Sequence, residues 1–277
     1  MIYGLKFVMK YAFGLDQAGR NFAVFPDDTF VVSYPRSGNT WTRFLIANLV
    51  YPNEDVTFAN IEKLIPDTSS ISSRSLRRTP RPRFIKTHEY FDHRYRKVIY
   101  VVRDPRDVVL SHYDFQRKYR QIDDQYPFEN YVDDFVKGNL ISKGWGTWGE
   151  NVASWISTRG NSPDFLLLHY EDMIGDTFRE LGRIAQFLGI KASLSLLETA
   201  VSRSTADRMR ELEKMQSADW VATKKHRKDI PFVRSARSGG WREQLSENSI
   251  AKIESAWGEL MTTLGYQLAS AKLVGAR

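Results

Sequence analysis

The stretch TFVVSYPRSGNTWTRFLIANLV, residues 29–50, changes its period halfway along, and that change decides the fold. Residues 29–34 are almost all β-branched or aromatic, the composition of a buried strand. Pro35, Arg36, Ser37, Gly38 and Asn39 then read as a tight turn, and an apolar helical pattern runs from Thr40 to about Val50. A helix that opens straight out of a turn points free backbone N–H groups and the positive end of its dipole outward. Phosphate binds readily in such a place. Gly38 lets the backbone approach an anion closely, Arg36 adds a fixed positive charge, and Ser37, Asn39 and Thr40 add polar contacts. An ordinary βα turn has the same local pattern. A nucleotide triphosphatase would show G-x-x-x-x-G-K-[ST]; here there is one glycine, and Asn39 stands where the lysine belongs. That weakens a small-molecule kinase as the alternative.

Outward from this unit, strands and helices alternate. Residues 84–86 and 97–102 (KVIYVV) read as strands, the second the clearest buried one, and Pro105 suits the first turn of a helix running towards Tyr119. Residues 165–170 (FLLLHY) form another strand, followed by a helix ending near Gly189, and a last helix covers about 248–264. Residues 66–82, rich in Ser, Arg and Pro, read as an exposed connection, and 202–228 as a helical lid or a solvated surface helix. The expected fold is a single α/β domain over residues 1–277, with a largely parallel central sheet flanked by helices and a P-loop-like phosphate-binding loop.

Composition narrows the class of function. Of 277 residues, 42% are hydrophobic and 26% charged, and none is cysteine, so disulfides, thiolate catalysis and cysteine-ligated metals are excluded. No apolar run approaches the roughly 18 residues of a membrane span, and the first twenty residues lack a signal-peptide pattern. A cytoplasmic enzyme without a metal site is expected. The net charge of +7 is concentrated: residues 74–106 hold eleven Lys or Arg against three acids. Such a segment suits an anionic ligand, and a non-catalytic polyanion binder is the second alternative.

Five short blocks resemble one family in its own order. Tyr34 to Trp41 (YPRSGNTW) is similar to the 5′-phosphosulfate loop of cytosolic-type sulfotransferases, written Y-P-K-S-G-T-T-W. Arg103 to Val108 (RDPRDV) with Ser111 resembles their 3′-phosphate motif, and Phe232-Val233-Arg234 followed by Gly239-Gly240-Trp241-Arg242 resembles the late F-x-R-K-G-x-x-G-D-W-K. Lys86-Thr87-His88 and Tyr170-Glu171-Asp172-Met173 match K-T-H and Y-E-D-M. The resemblance implies sulfuryl transfer from 3′-phosphoadenosine 5′-phosphosulfate (PAPS), leaving 3′-phosphoadenosine 5′-phosphate (PAP), to a hydroxyl or amine. The expected acceptor is a small molecule or carbohydrate rather than nucleic acid; the oligomeric state stays open.

By the same resemblance Arg36, Ser37, Gly38, Asn39, Thr40 and Trp41 hold the 5′ end, with Trp41 also beside the adenine. Arg103 and Ser111 hold the 3′-phosphate with Arg234 and the backbone near Ser235 and Ala236, while Tyr170 and Ser204 lie at the base. Departures are Arg36 for Lys, Ser235-Ala236 for Lys-Gly, Gly240 for Asp, and Ala206 where an aromatic would stack. His88 is the candidate general base, because an imidazole titrates near neutrality; Glu89 is its rival. Lys86 and Arg36 are the cations for the bridging and sulfuryl oxygens. Tyr90, Phe91, His112, Tyr113, Phe115, Trp145 and Trp148 are candidates for lining an acceptor pocket that takes a flat or apolar molecule.

Overall fold

Strand β1 (Thr29–Ser33) is buried along its whole length, as a Val- and Phe-rich run with a covered sheet on both sides must be. It is flanked by β2 (Phe84–Thr87) and β3 (Lys97–Val102), and β4 (Phe165–His169) completes a four-stranded sheet in the order β2-β1-β3-β4. Every pairing is parallel, with Val31 opposite Lys86 and Ile99, and Val101 opposite Leu168. This computed structural model describes Phe13, Ala218, Trp220 and residues 17–140, 144–216, 223–234 and 236–269.

Because successive side chains leave opposite faces of a strand, alternate residues build two separate cores. Phe30, Val32, Ile85, Val98 and Tyr100 face one layer, whose helices are α4 (Pro105–Lys118), α5 (Phe128–Lys137), α6 (Trp148–Arg159), α11 (Trp241–Gln244) and α12 (Glu247–Thr263). Val31, Phe84, Ile99 and Val101 face the other, with α1 (Asn39–Val50), α8 (Thr177–Leu188), α9 (Leu194–Arg203) and α10 (Ala206–Gln216). Each fully buried Val, Ile or Phe contributes on the order of 1.5–3 kcal/mol, so the sheet is held from both sides. Short helices α2 (Ile61–Leu64), α3 (Ser73–Arg78) and α7 (Tyr170–Gly175) lie in the connections. Among the described residues no helix is long and apolar enough to cross a membrane.

Local chemistry sets the helix ends. Asp104 caps α4 by accepting from Arg106 N, with Pro105 in the first turn. Thr147 and Glu150 form a capping box at the start of α6. The α1 N-terminus differs: Gly38 precedes it at φ 95°, and no side chain caps it. The strands agree with the sequence reading to within a residue, except that Tyr170 opens α7 rather than closing β4. The connection at 66–82 contains α3, and the 202–228 segment contains α10, which walls the cleft described below.

The chain runs from β1 out to the edge strand β2, then back across β1 to β3 and β4. The connections therefore diverge between β1 and β3, and in open α/β sheets ligands bind outside the carboxyl ends at such a reversal.

Candidate active site

The carboxyl ends of all four strands open onto one cleft of about 1430 Å³. From β1 comes the turn that carries Arg36 and Gly38, both in the left-handed region at φ 68° and 95°. Alternating backbone conformations of this kind turn successive N–H groups into one concavity, and the uncapped N-terminus of α1 adds the positive end of its dipole. The Ser37 hydroxyl is buried there without a hydrogen-bond partner among the described residues. Tyr170 closes over the turn: a Cβ added at Gly38 would lie 2.5 Å from its Cδ2. An orphaned hydroxyl, an uncapped helix and a glycine that admits close approach together fit a phosphate-sized anion.

Asn39 differs from the expected arrangement. Its Nδ2 donates to Val31 O (3.2 Å) and Ser33 Oγ (3.1 Å). Nδ2 thereby secures the end of β1, while Oδ1 is buried without a partner among the described residues and Asn39 still lines the cleft.

The guanidinium of Arg36 spans to the next strand end. Nε donates to Ser111 Oγ on α4 (3.1 Å), Nη2 donates to Phe232 O (3.3 Å), and the rings of Phe115 and Phe232 lie 4.9 and 4.8 Å away. Burial, with the neighbouring charges of Arg103 and Arg234, pushes its pKa down to about 10, so it stays cationic at neutral pH. Arg103, at the end of β3, donates to Arg36 O (3.3 Å) and Arg237 O (3.0 Å), while its Nε is buried without a partner among the described residues. Its charge lies 4.3 Å from the centre of the Tyr170 ring.

The late segment is locked onto α4 and α10. Asp107 accepts from Gly239 N and Trp241 N, Glu213 accepts from Phe232 N and Val233 N, and Arg210 donates to Arg234 O. Arg234 itself is paired with Asp114 at 2.6 Å and bonded to Leu110 O. Ala236 takes φ 50° and lines the cleft, as do Thr40 and Arg237; Ser235 lies outside the described residues. The residues expected at the base meet one another: Trp41 Nε1 donates to Ser204 O (2.9 Å), and its ring stands edge-on to Tyr170 at 5.9 Å. The Ser204 hydroxyl accepts from Asn48.

At the end of β2, His88 Nδ1 lies 2.6 Å from Ser33 O. A carbonyl only accepts, so Nδ1 carries the proton and Nε2 keeps its lone pair. Burial and the adjacent Lys86 charge push the imidazole pKa down to about 3, leaving it neutral. Lys86 is bound to Asp67 at 2.7 Å. The rival Glu89 is placed differently: it does not line the cleft, and a Cβ at Gly144 would lie 3.2 Å from its Oε2. Burial raises its pKa against the pull of Arg20.

Of the seven aromatic candidates, His112, Phe115 and Trp145 line the cleft, whereas Tyr90, Phe91, Tyr113 and Trp148 do not. Trp148 is a core residue whose indole donates to Arg103 O. The basic run at 74–106 is also dispersed. Arg83 is buried on Asp28 (2.6 Å) and Arg106 on Asp104 and Glu254 (2.7 Å each), while Arg103 and Lys86 face the cleft. Arg74, Arg77, Arg78, Arg81 and Arg96 remain exposed, Arg81 in a pair with Asp27.

Comparison with known proteins identifies the family. The sequence model described as "Sulfotransferase domain" matches residues 26–265. The chain belongs to the sulfotransferase family. It is 27% identical over 279 residues to Sulfotransferase 1A1 of Mus musculus, covering 94% of this chain and 93% of that one. Cytosolic sulfotransferase 1 of Danio rerio is 27% identical over 259 residues, covering 87% and 85%. A solved structure of retinol dehydratase with androsterone and PAP superposes at TM-score 0.71 over 91% of this chain and 85% of that one, at 22% identity. This sulfotransferase is therefore a PAPS-dependent enzyme of the single-domain α/β type.

Asp67, Arg43 and Arg237 line the cleft and escaped the sequence reading. Asp67 lies inside the Ser-rich connection at 66–82, which has no recognisable motif, and Arg43 sits inside an apolar helical run. For Arg237 the one pointer was the family's lysine after Arg234, replaced here by Ser235.

Proposed function

We propose that His88 is the general base of sulfuryl transfer to a hydroxyl or amine of a small-molecule acceptor. Support comes chiefly from the Nδ1 contact to Ser33 O, which fixes the tautomer and ties the base directly to the strand feeding the phosphate turn. PAPS supplies the sulfuryl group and the S–O bond that breaks. The acceptor proton passes to His88 Nε2, the acceptor oxygen or nitrogen bonds to sulfur, and the bond's electron pair leaves on the 5′-phosphate of PAP. Arg36 and Lys86 neutralise charge on the oxygens around sulfur, and the amides at residues 38–41 hold the 5′-phosphate. Arg103, Ser111 and Arg234, with the backbone at 235–236, hold the 3′-phosphate; Trp41, Tyr170 and Ser204 hold the base.

We also take the whole of 1–277 as one domain and the location as cytoplasmic, in line with the Danio rerio relative and the absence of cysteine from the sequence. The deciding experiment is His88→Ala, with PAP affinity measured by calorimetry and turnover by PAP release. Affinity within about threefold of wild type and turnover lower by roughly 10²–10⁴ support the role. Near-normal turnover removes it.

A further inference from the structure

Beside the proposed base lies a carboxylate that the sulfuryl-transfer scheme does not use. Asp67 forms an isolated parallel bridge opposite Lys86. Thr68 N donates to Lys86 O (3.0 Å) and Lys86 N to Pro66 O (2.8 Å), so the backbone itself sets Asp67 alongside β2. Oδ1 is fixed by the amide and hydroxyl of Ser69 (2.8 and 2.7 Å), while Oδ2 receives the Lys86 ammonium at 2.7 Å. Glu62 accepts from Asp67 N (3.1 Å) and pairs with the buried Arg43, also at 3.1 Å. The Lys86 side chain is only 7% exposed, and both Asp67 and Lys86 line the cleft with His88.

We propose that Asp67 is a positioning residue for sulfuryl transfer, holding the Lys86 ammonium charged and fixed beside His88. This rests on the roles proposed for Lys86 and His88. An ammonium so deeply enclosed is pressed to give up its proton, and the groups facing it divide: Asp67 and Glu62 oppose that loss, while Arg43 favours it. The Asp67 carboxyl is also pushed up by burial, yet the charges of Lys86 and Arg43 hold it well below the usual range. On His88, burial and Lys86 act against protonation, and Asp67 acts for it. One carboxylate therefore keeps a transition-state cation charged and raises the basicity of the proposed base. Clamped by Ser69 on its far side, it has little freedom to swing away.

The test is Asp67→Asn, which preserves shape and the Ser69 contact while removing the charge. Lys86 is followed by carbon-13 NMR of its Cε, PAP affinity by calorimetry, and turnover as PAP released from PAPS with phenol or water as acceptor. Expected are a Lys86 titration lower by about one pH unit or more, an alkaline limb of kcat that moves down with it, and PAP affinity within about threefold. A purely structural ion pair would leave the limb where it was. An unmoved limb, or an unmoved Lys86 titration, overturns the proposal. Should that variant fail to fold, Ser69→Ala keeps both charges and frees Oδ1; kcat is then expected to fall severalfold with PAP affinity unchanged, and an unchanged kcat overturns the proposal. Wild-type enzyme that releases no PAP contradicts the proposed function, whereas the Lys86 titration still decides whether Asp67 keeps that ammonium charged.

Discussion

Substituting Gly38→Ala loads the phosphate turn in two ways at once. At φ 95° the residue lies where an L side chain meets its own carbonyl, a strain of about 1–2 kcal/mol. The new methyl would also sit 2.5 and 2.9 Å from Cδ2 and Cε2 of Tyr170, so the ring must move. Moving it loosens the Arg103 guanidinium 4.3 Å from its centre, worth about 0.5–2 kcal/mol, and the edge contact with Trp41. The sum is roughly 2–4 kcal/mol. If the turn relaxes to relieve the strain, its amides no longer converge, and PAP affinity falls by roughly 30- to 1000-fold. If the turn holds its shape, the same energy appears as lost stability, a Tm lower by several degrees. Calorimetric titration with PAP and a thermal melt on the same sample divide the energy between the two. A variant that binds PAP within threefold of wild type and melts at the same temperature would refute the close approach of Tyr170 to the turn.

Two further outcomes are expected. Burial raises the pKa of Glu171 to about 6 from its ordinary 4.5, against the hydrogen bond from Asp104 N and the charge of Arg103. The folded value lies above the unfolded one, so the stability it contributes is full below about pH 4.5 and lost as pH rises through 6. Glu171→Gln should flatten stability between those limits and raise it at pH 7 by roughly 2 kcal/mol, as followed by urea unfolding across pH. Arg237 lines the cleft, with its own carbonyl held by Arg103. Arg237→Ala should weaken PAP about tenfold and flatten the salt dependence of binding; an unchanged salt slope would place that guanidinium away from the phosphate.

Legibility followed the range of the physics. The strand at 97–102 was readable because burial on both faces forces an unbroken apolar run, and the turn at 34–41 because strand, glycine and helix start occur in one continuous piece. Asp104 and Pro105 carry their helix-start chemistry in two letters. What composition hid was pairing at a distance. Arg83 read as part of a basic segment suited to an anionic ligand, whereas Asp28, 55 residues earlier, meets it in the interior. The bond from Asn39 to Val31 O was hidden as well, because it depends on how tightly the turn folds back. Trp148 and Tyr90 do not line the cleft, since helix α6 buries the first in the core behind Arg103 and the loop after β2 leaves the second outside the cleft wall. Asp67 needed the parallel bridge to Lys86, a register that no local pattern specifies.

The sheet order has a bearing on how such an enzyme can change what it modifies. Its central pair, β1 and β3, ends in the turn proposed for one phosphate and the arginine proposed for the other, and β4 ends in the ring that closes over the turn. The proposed base and its neighbouring lysine hang from β2, which among the described residues is an outermost strand with one full partner. Insertions or altered lengths in the connections around that rim can reshape the space in front of the imidazole without disturbing three strands' worth of donor grip. Divergence in taste can accumulate at the margin while the reagent stays the same.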